Sequence, residues 1–170
     1  MPTLKELCST AEELAPLELS YKTVAKGGYD NSGIIVDAGR NVNKILFSLD
    51  LSEAAVNRAK RLGCDTVVTH HPAIYMPIKN LSATELVNPA VFAAVRAGIN
   101  VLSMHLNLDI AEGGIDASLA EALGATETRL LDVLEKGDPR YGYGREFVVN
   151  AAFAEVIARA KRLGCDTVVT

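Results

Sequence analysis

Tryptophan is missing from this sequence, and aromatic residues make up only 5% of it. Its core must therefore be aliphatic, filled by Leu, Val, Ile and Ala. An excess of basic residues is missing too. Lys and Arg number 17 against 21 Asp and Glu, giving a net charge of -4 and a pI near 5.4. That balance argues against a nucleic-acid groove, which needs clustered positive charge. No apolar run is long enough to span a bilayer. The opening Met1-Pro2-Thr3-Leu4-Lys5-Glu6-Leu7 lacks the apolar stretch of a secretory signal and is interrupted by charge. A cytoplasmic location is the expectation. Cysteine is scarce: Cys8, Cys64 and Cys165 lie far apart, with no CxxC spacing and no disulfide pattern. They read as small buried thiols in a reducing compartment. Neither a GxGxxG turn after a strand nor a GxxxxGK[ST] loop is present, so a dinucleotide or P-loop site is not expected.

What remains is ordinary globular material, 49% hydrophobic and 22% charged, and 170 residues suffice to bury a full core. Residues 3–15 carry Leu4, Leu7, Ala11, Leu14 and Ala15 at helical spacing. Thr3 and Glu6 form a capping box, and Pro16 is the stop. The glycine-bearing stretch 26–33 reads as a loop, and Ile34-Ile35-Val36 as a strand. A strand at 45–50 is followed by a helix capped by Ser52 and stopped by Gly63, then by a strand at Thr66–Thr69. This βαβ order predicts parallel strands and a right-handed crossover. An apolar loop covers 74–81, a helix 88–97, a strand 99–102 and a helix 115–123. The stretch Glu135 to Gly144 reads as a glycine-rich connector, followed by a strand at 147–150, a helix at 153–163 and a strand at 167–170. The expectation is an α/β fold with a largely parallel or mixed sheet flanked by helices. Residues 1–134 would form the lobe that carries the site. Residues 135–170 would form a connector and a partial second lobe.

The run Arg58 to Thr69 recurs letter for letter as Arg159 to Thr170. A diverged duplication gives similarity rather than identity. The second copy stops at Thr170, where the first continues into His70 and His71.

Those two residues hold the chemistry. The chain has three histidines, of which two end the 66–69 strand and the third, His105, follows the 99–102 strand together with Asp109. A metal site needs neutral imidazoles and carboxylates converging on one ion. Neighbouring residues of a regular strand point to opposite faces, so His70 and His71 share a site only where the backbone turns, and Pro72 favours such a turn. Each could then serve one of two adjacent ions, with Asp109 approaching from the neighbouring strand end. The plainer alternative makes the histidines hydrogen-bonded loop residues. His105 is open between a supporting group, a substrate-facing catalytic residue and a structural one. Asp30-Asn31 reads equally as a pocket loop and as an Asx turn.

Thr69-His70-His71-Pro72, with Pro77-Ile78-Lys79 after it, resembles the THHP…PLK signature of the GTP cyclohydrolase I type 2 homologues, also called NIF-three-like dinuclear-metal proteins. His105-Leu106-Asn107-Leu108-Asp109 is similar to that family's HTNLD. Tyr29-Asp30-Asn31-Ser32-Gly33 is similar to its WDNxG, and the segment 137–144 to its GYGxGR connector. The resemblance covers residues 3 to about 145. It implies two α/β lobes around a pair of divalent cations (Zn, Fe, Mn or Mg), in a toroidal homohexamer. His70, His71 and Asp109 would be metal ligands, and His105 is the candidate catalytic residue. The family takes two further ligands, a histidine and a glutamate four residues later, from its second lobe, and these 170 residues contain no such pair. The implied function is metal-dependent hydrolysis of a nucleotide or similar small molecule. The alternative is a non-enzymatic, oligomeric metal-binding scaffold.

Overall fold

A computed structural model describes residues 1–81 and 88–165. The chain divides into two compact units, Met1–Leu108 and Asp109–Thr170.

The first unit opens with two helices, α1 (Leu4–Leu14) and α2 (Leu17–Ala25). The α1 capping box is present: the Thr3 hydroxyl accepts from the Glu6 N–H, and the Thr3 N–H donates to Glu6 Oε2 at 2.7 Å. Pro16 does more than stop α1. It is also the N-cap of α2, a helix not expected from the sequence. Proline suits a helix start because a backbone N–H there has no helical partner anyway.

Four short strands follow: β1 (Gly33–Val36), β2 (Ile45–Ser48), β3 (Thr66–Thr69) and β4 (Asn100–Ser103). They form one sheet in the order β1-β4-β3-β2. The β2–β3 and β3–β4 pairs are parallel, as the βαβ order required, and β1 runs antiparallel to β4. All four residues of β3 and of β4 are buried, an apolar pair flanked in each strand by buried polar residues: Val67-Val68 between Thr66 and Thr69, and Val101-Leu102 between Asn100 and Ser103. Alternate residues serve opposite faces. Val67 and Val101 pack with Val56 and Ala59 of α3 (Glu53–Leu62) and with Val91 and Ala94 of α4 (Pro89–Ala97). Val68 and Leu102 pack with Ala11 of α1.

Buried polar groups lock the register. Asn100 Oδ1 accepts from the Ala38 N–H at 3.0 Å, and its amide donates to the Arg40 carbonyl at 2.9 Å. Asp65 takes the N–H of Asn43 on both oxygens, at 3.1 and 2.9 Å, and the Lys44 N–H and Thr66 hydroxyl as well. Burial pushes this carboxyl up. The donors from Thr66, Asn43 and Lys44 outweigh that and hold it below its ordinary value.

The second unit contains α6 (Ile115–Leu123), a long antiparallel hairpin of β5 (Ala125–Glu135) and β6 (Asp138–Val149), and α7 (Phe153–Arg162). A short helix, α5 (Leu106–Ile110), straddles the boundary between the units. The hairpin departs from the sequence reading. The stretch read as a connector is mostly strand, and β5 was not expected at all. Glycines within a strand usually signal a break, but here one is required. A Cβ on Gly142 would lie 2.1 Å from the Asp132 carbonyl oxygen across the ladder. Gly142→Ala is expected to destabilise the protein by about 2–3 kcal/mol, the scale of overpacking a close contact. Gly113→Ala, where nothing lies within 4 Å, is the control and should be near neutral. Equal melting temperatures for the two variants would refute this account of the hairpin.

The repeated segment builds the same local turn in both places. Cys64 N–H bonds the Ala59 carbonyl at 2.8 Å and Gly63 N–H bonds Lys60. Cys165 and Gly164 do the same to Ala160, at 3.0 Å, and to Lys161. Gly63 and Gly164 both take the left-handed conformation that this helix ending needs, at φ 69° and 91°. The strand read at 167–170 lies outside the described residues.

Candidate metal centre

The strand ends position the histidines. The ladder continues past β3, with His70 N–H bonded to the Ser48 carbonyl and His71 N–H to that of Leu49, at 3.2 and 3.0 Å. The chain then turns. The Thr69 hydroxyl donates to the His71 carbonyl at 2.8 Å and meets the Ser103 hydroxyl at 2.8 Å. This local bend solves the problem of adjacent strand residues, since the rings of His70 and His71 lie on one side with centroids 5.0 Å apart. His105, just past β4, completes the group, its ring 5.3 Å from that of His70 and 5.7 Å from that of His71. One candidate ligand nitrogen from each of the three rings lies within 4.8 Å of the other two. Asp109 is half-buried on α5, at the first residue of the second unit.

Each ring is oriented by a partner on Nδ1. His70 Nδ1 is 2.9 Å from the Met104 carbonyl oxygen, which only accepts, so that nitrogen carries the proton. His71 Nδ1 lies 2.7 Å from Asp50 Oδ1, and His105 Nδ1 lies 2.7 Å from Asp30 Oδ1. The neutral tautomer with its proton on Nδ1 has its lone pair on Nε2. That pattern, imidazole backed by carbonyl or carboxylate, is how metal-binding histidines are held. Three such imidazoles suit a borderline cation such as zinc or iron.

Asp30 is the strongest of these supports. Its side chain has no exposed surface, whereas that of Asp50 is 64% exposed. It accepts from the hydroxyls of Ser20 and Ser32, the latter at 2.6 Å. Burial pushes its carboxyl up. Hydrogen bonds from Ser20, Ser32, His105 and the Asn31 backbone outweigh that and keep it ionised below the usual carboxylate range. The 29–32 loop is fastened to the loop beyond the histidines. Asn31 Nδ2 donates to the Ile74 carbonyl at 2.6 Å, Tyr75 OH donates to the Tyr29 carbonyl at 3.0 Å, and Ser32 Oγ accepts from the His105 N–H. Ser32 N–H also reaches Asp30 Oδ2 at 3.3 Å, so the Asx turn and the site loop are one structure. The role of Asp50 had no signal in the sequence beyond its place as the last residue of the strand read at 45–50, which ends at Ser48.

Cys8, Cys64 and Cys165 are free thiols. Burial, helped by Glu12, pushes the Cys8 thiol up and makes it a poor nucleophile. Among the described residues no helix is long and apolar enough to cross a membrane.

A mixed α/β sheet whose parallel strands end in a tight group of imidazoles, each backed by an acceptor, defines a protein able to hold a metal ion. Residues 2–170 match the family described as Duf34/NIF3 (NGG1p interacting factor 3), and the chain belongs to that family. A GTP cyclohydrolase 1 type 2 homolog from Clostridium perfringens is 31% identical over 143 residues, covering 84% of this chain and 52% of that protein. A homolog of the same description from Streptomyces coelicolor is 30% identical over 164 residues, covering 94% of this chain and 55% of that protein. The chain thus spans about half the length of these curated relatives. Among solved structures, a Bacillus cereus protein related to NIF3 superposes with a TM-score of 0.69 at 29% identity, over 78% of this chain and 35% of its own. Reduced HcgD from Methanocaldococcus jannaschii gives 0.74 at 26% identity, over 94% and 59%.

Proposed function

We propose that this protein is a metal-dependent hydrolase of a nucleotide or similar small molecule, holding divalent cations through His70, His71 and Asp109. The observation that carries the metal reading is the convergence of three imidazoles, each with Nδ1 turned to an acceptor. It adds His105 to the ligands and makes Asp30 and Asp50 the groups that orient their rings. A bound divalent cation would polarise an ester or amide oxygen and lower the pKa of water. The protein's own part is to hold the three rings fixed, each with Nδ1 on an acceptor. The Asp50 and Asp30 carboxylates accept hydrogen bonds from Nδ1 of His71 and His105, which leaves Nε2 of each ring as the nitrogen available to a cation. His105 either ligates or, where the cations are held without it, acts as the substrate-facing base. Assembly as a homohexamer, implied by the resemblance, belongs to the same proposal.

The test is elemental analysis with solution mass on the purified chain, then assay of a nucleotide panel including GTP with zinc, iron or manganese. Stoichiometric metal and turnover lost with a chelator are expected. Metal without turnover across the panel would favour the scaffold reading. Absence of bound metal after reconstitution would sink both.

A further inference from the structure

Beside the histidine cluster the first unit holds a cavity of about 390 Å³, walled by Phe47, Leu49, Val68, His70, Met104 and Leu108. Its volume lies within the range of small-molecule sites. His70 belongs to both places, forming part of the cavity wall and one corner of the imidazole group. The lining contains no lysine or arginine, so a phosphate chain finds no counter-charge there. Ser48 and Thr69 line it too, but their hydroxyls are engaged with Asp50, His71 and Ser103, and apart from the His70 imidazole the remaining wall is aliphatic, aromatic and thioether. Phe47 and Leu49, on and just past the open edge strand β2, are 74% and 61% exposed. Carbon surface this exposed gains from being covered by a ligand.

We propose that this cavity is the apolar subsite of the metal centre. It takes the hydrocarbon or aromatic part of a small ligand whose oxygen-bearing head reaches His70, His71 and His105. The inference rests on the metal reading for the head and on the cavity alone for the tail. It refines the substrate class to molecules with an anionic or chelating end and an uncharged, carbon-rich end.

Acetohydroxamate and hexanohydroxamate separate the two parts. Both share the chelating head, and the longer one adds four CH2 groups, each worth about fourfold in affinity when fully buried. Titration calorimetry on the zinc-loaded chain should show hexanohydroxamate binding at least about tenfold more tightly. Methyl NMR should show it shifting Leu49, Val68, Met104 and Leu108, in zinc-loaded and metal-free protein alike. Phe47→Asp, on an exposed side chain, should remove the chain-length advantage and leave acetohydroxamate binding unchanged. Equal affinity for the two probes overturns the subsite. So do shifts as large at the exposed Leu131 and Val148 of the second unit, which mark general adhesion. Cavity methyls that move with protein concentration alone also overturn it, since a second copy then fills the space. Zinc that leaves acetohydroxamate binding unchanged defeats the metal reading instead, and the metal-free methyl titration then decides the cavity by itself.

Discussion

His105→Ala is expected to lower zinc affinity by at least about 100-fold, beyond what loss of an outer hydrogen-bond partner costs. The reason is geometric. His105 supplies one of the three nitrogens that converge within 4.8 Å, and its ring is fixed by a carboxylate with no exposed surface. Asp30→Ala should cost less, roughly 10–100-fold, because the imidazole remains but loses its anchor. Asp50→Ala should cost least, since the Asp50 and His71 side chains are 64% and 48% exposed and water can replace the carboxylate. Competition against a chromophoric chelator measures all three, with circular dichroism as the check on folding. The order is the informative part. If His105→Ala binds zinc as the parent does, His105 is no ligand, and the imidazole group reduces to His70 and His71.

Asp65→Ala should destabilise the first unit by about 2–3 kcal/mol. Its carboxylate satisfies the N–H groups of Asn43 and Lys44, at part-buried bonds, and the buried Thr66 hydroxyl, so removal strips three donors of their acceptor where β2 and β3 begin. The same carboxylate predicts acid sensitivity. Its folded pKa lies below its unfolded one, because the donors outweigh burial. Its stabilising share is therefore complete above about pH 4, the unfolded value, and is lost as pH falls through the folded value. Urea midpoints for the parent and Asp65→Ala should differ widely at neutral pH and converge in strong acid. A gap that stays constant down to pH 2 would show that the charge contributes nothing.

The parts of the fold legible in the sequence are those where local pattern and burial agree. The strands β3 and β4 are short segments buried on both faces around the apolar pairs Val67-Val68 and Val101-Leu102, and α3 is bounded by Ser52 and Gly63 acting as expected caps. Elements were missed where one residue serves two purposes. Pro16 ends one helix and begins another. Gly142 looked like a break, yet it allows a close approach to Asp132 inside a ladder. In the site, the sequence brought His70 and His71 to notice and left the place of His105 open. It could not reveal that Asp30 backs His105, because the two are separated by 75 positions and meet only through the fold. The separation of Asp50 from His71, 21 positions, hides that pair in the same way.

His70 is steadied not by a neighbour in sequence but by the Met104 carbonyl, on the tail of the adjacent strand. The alignment of Thr69 with Ser103 sets that level. Were the two strands to slide by one position, the carbonyl would swing to the far side of the pleat and the imidazole would lose its grip. Enlarging Val68 or Leu102 should therefore blunt the imidazole group well before the protein melts, because interior fit and ring aim share one alignment.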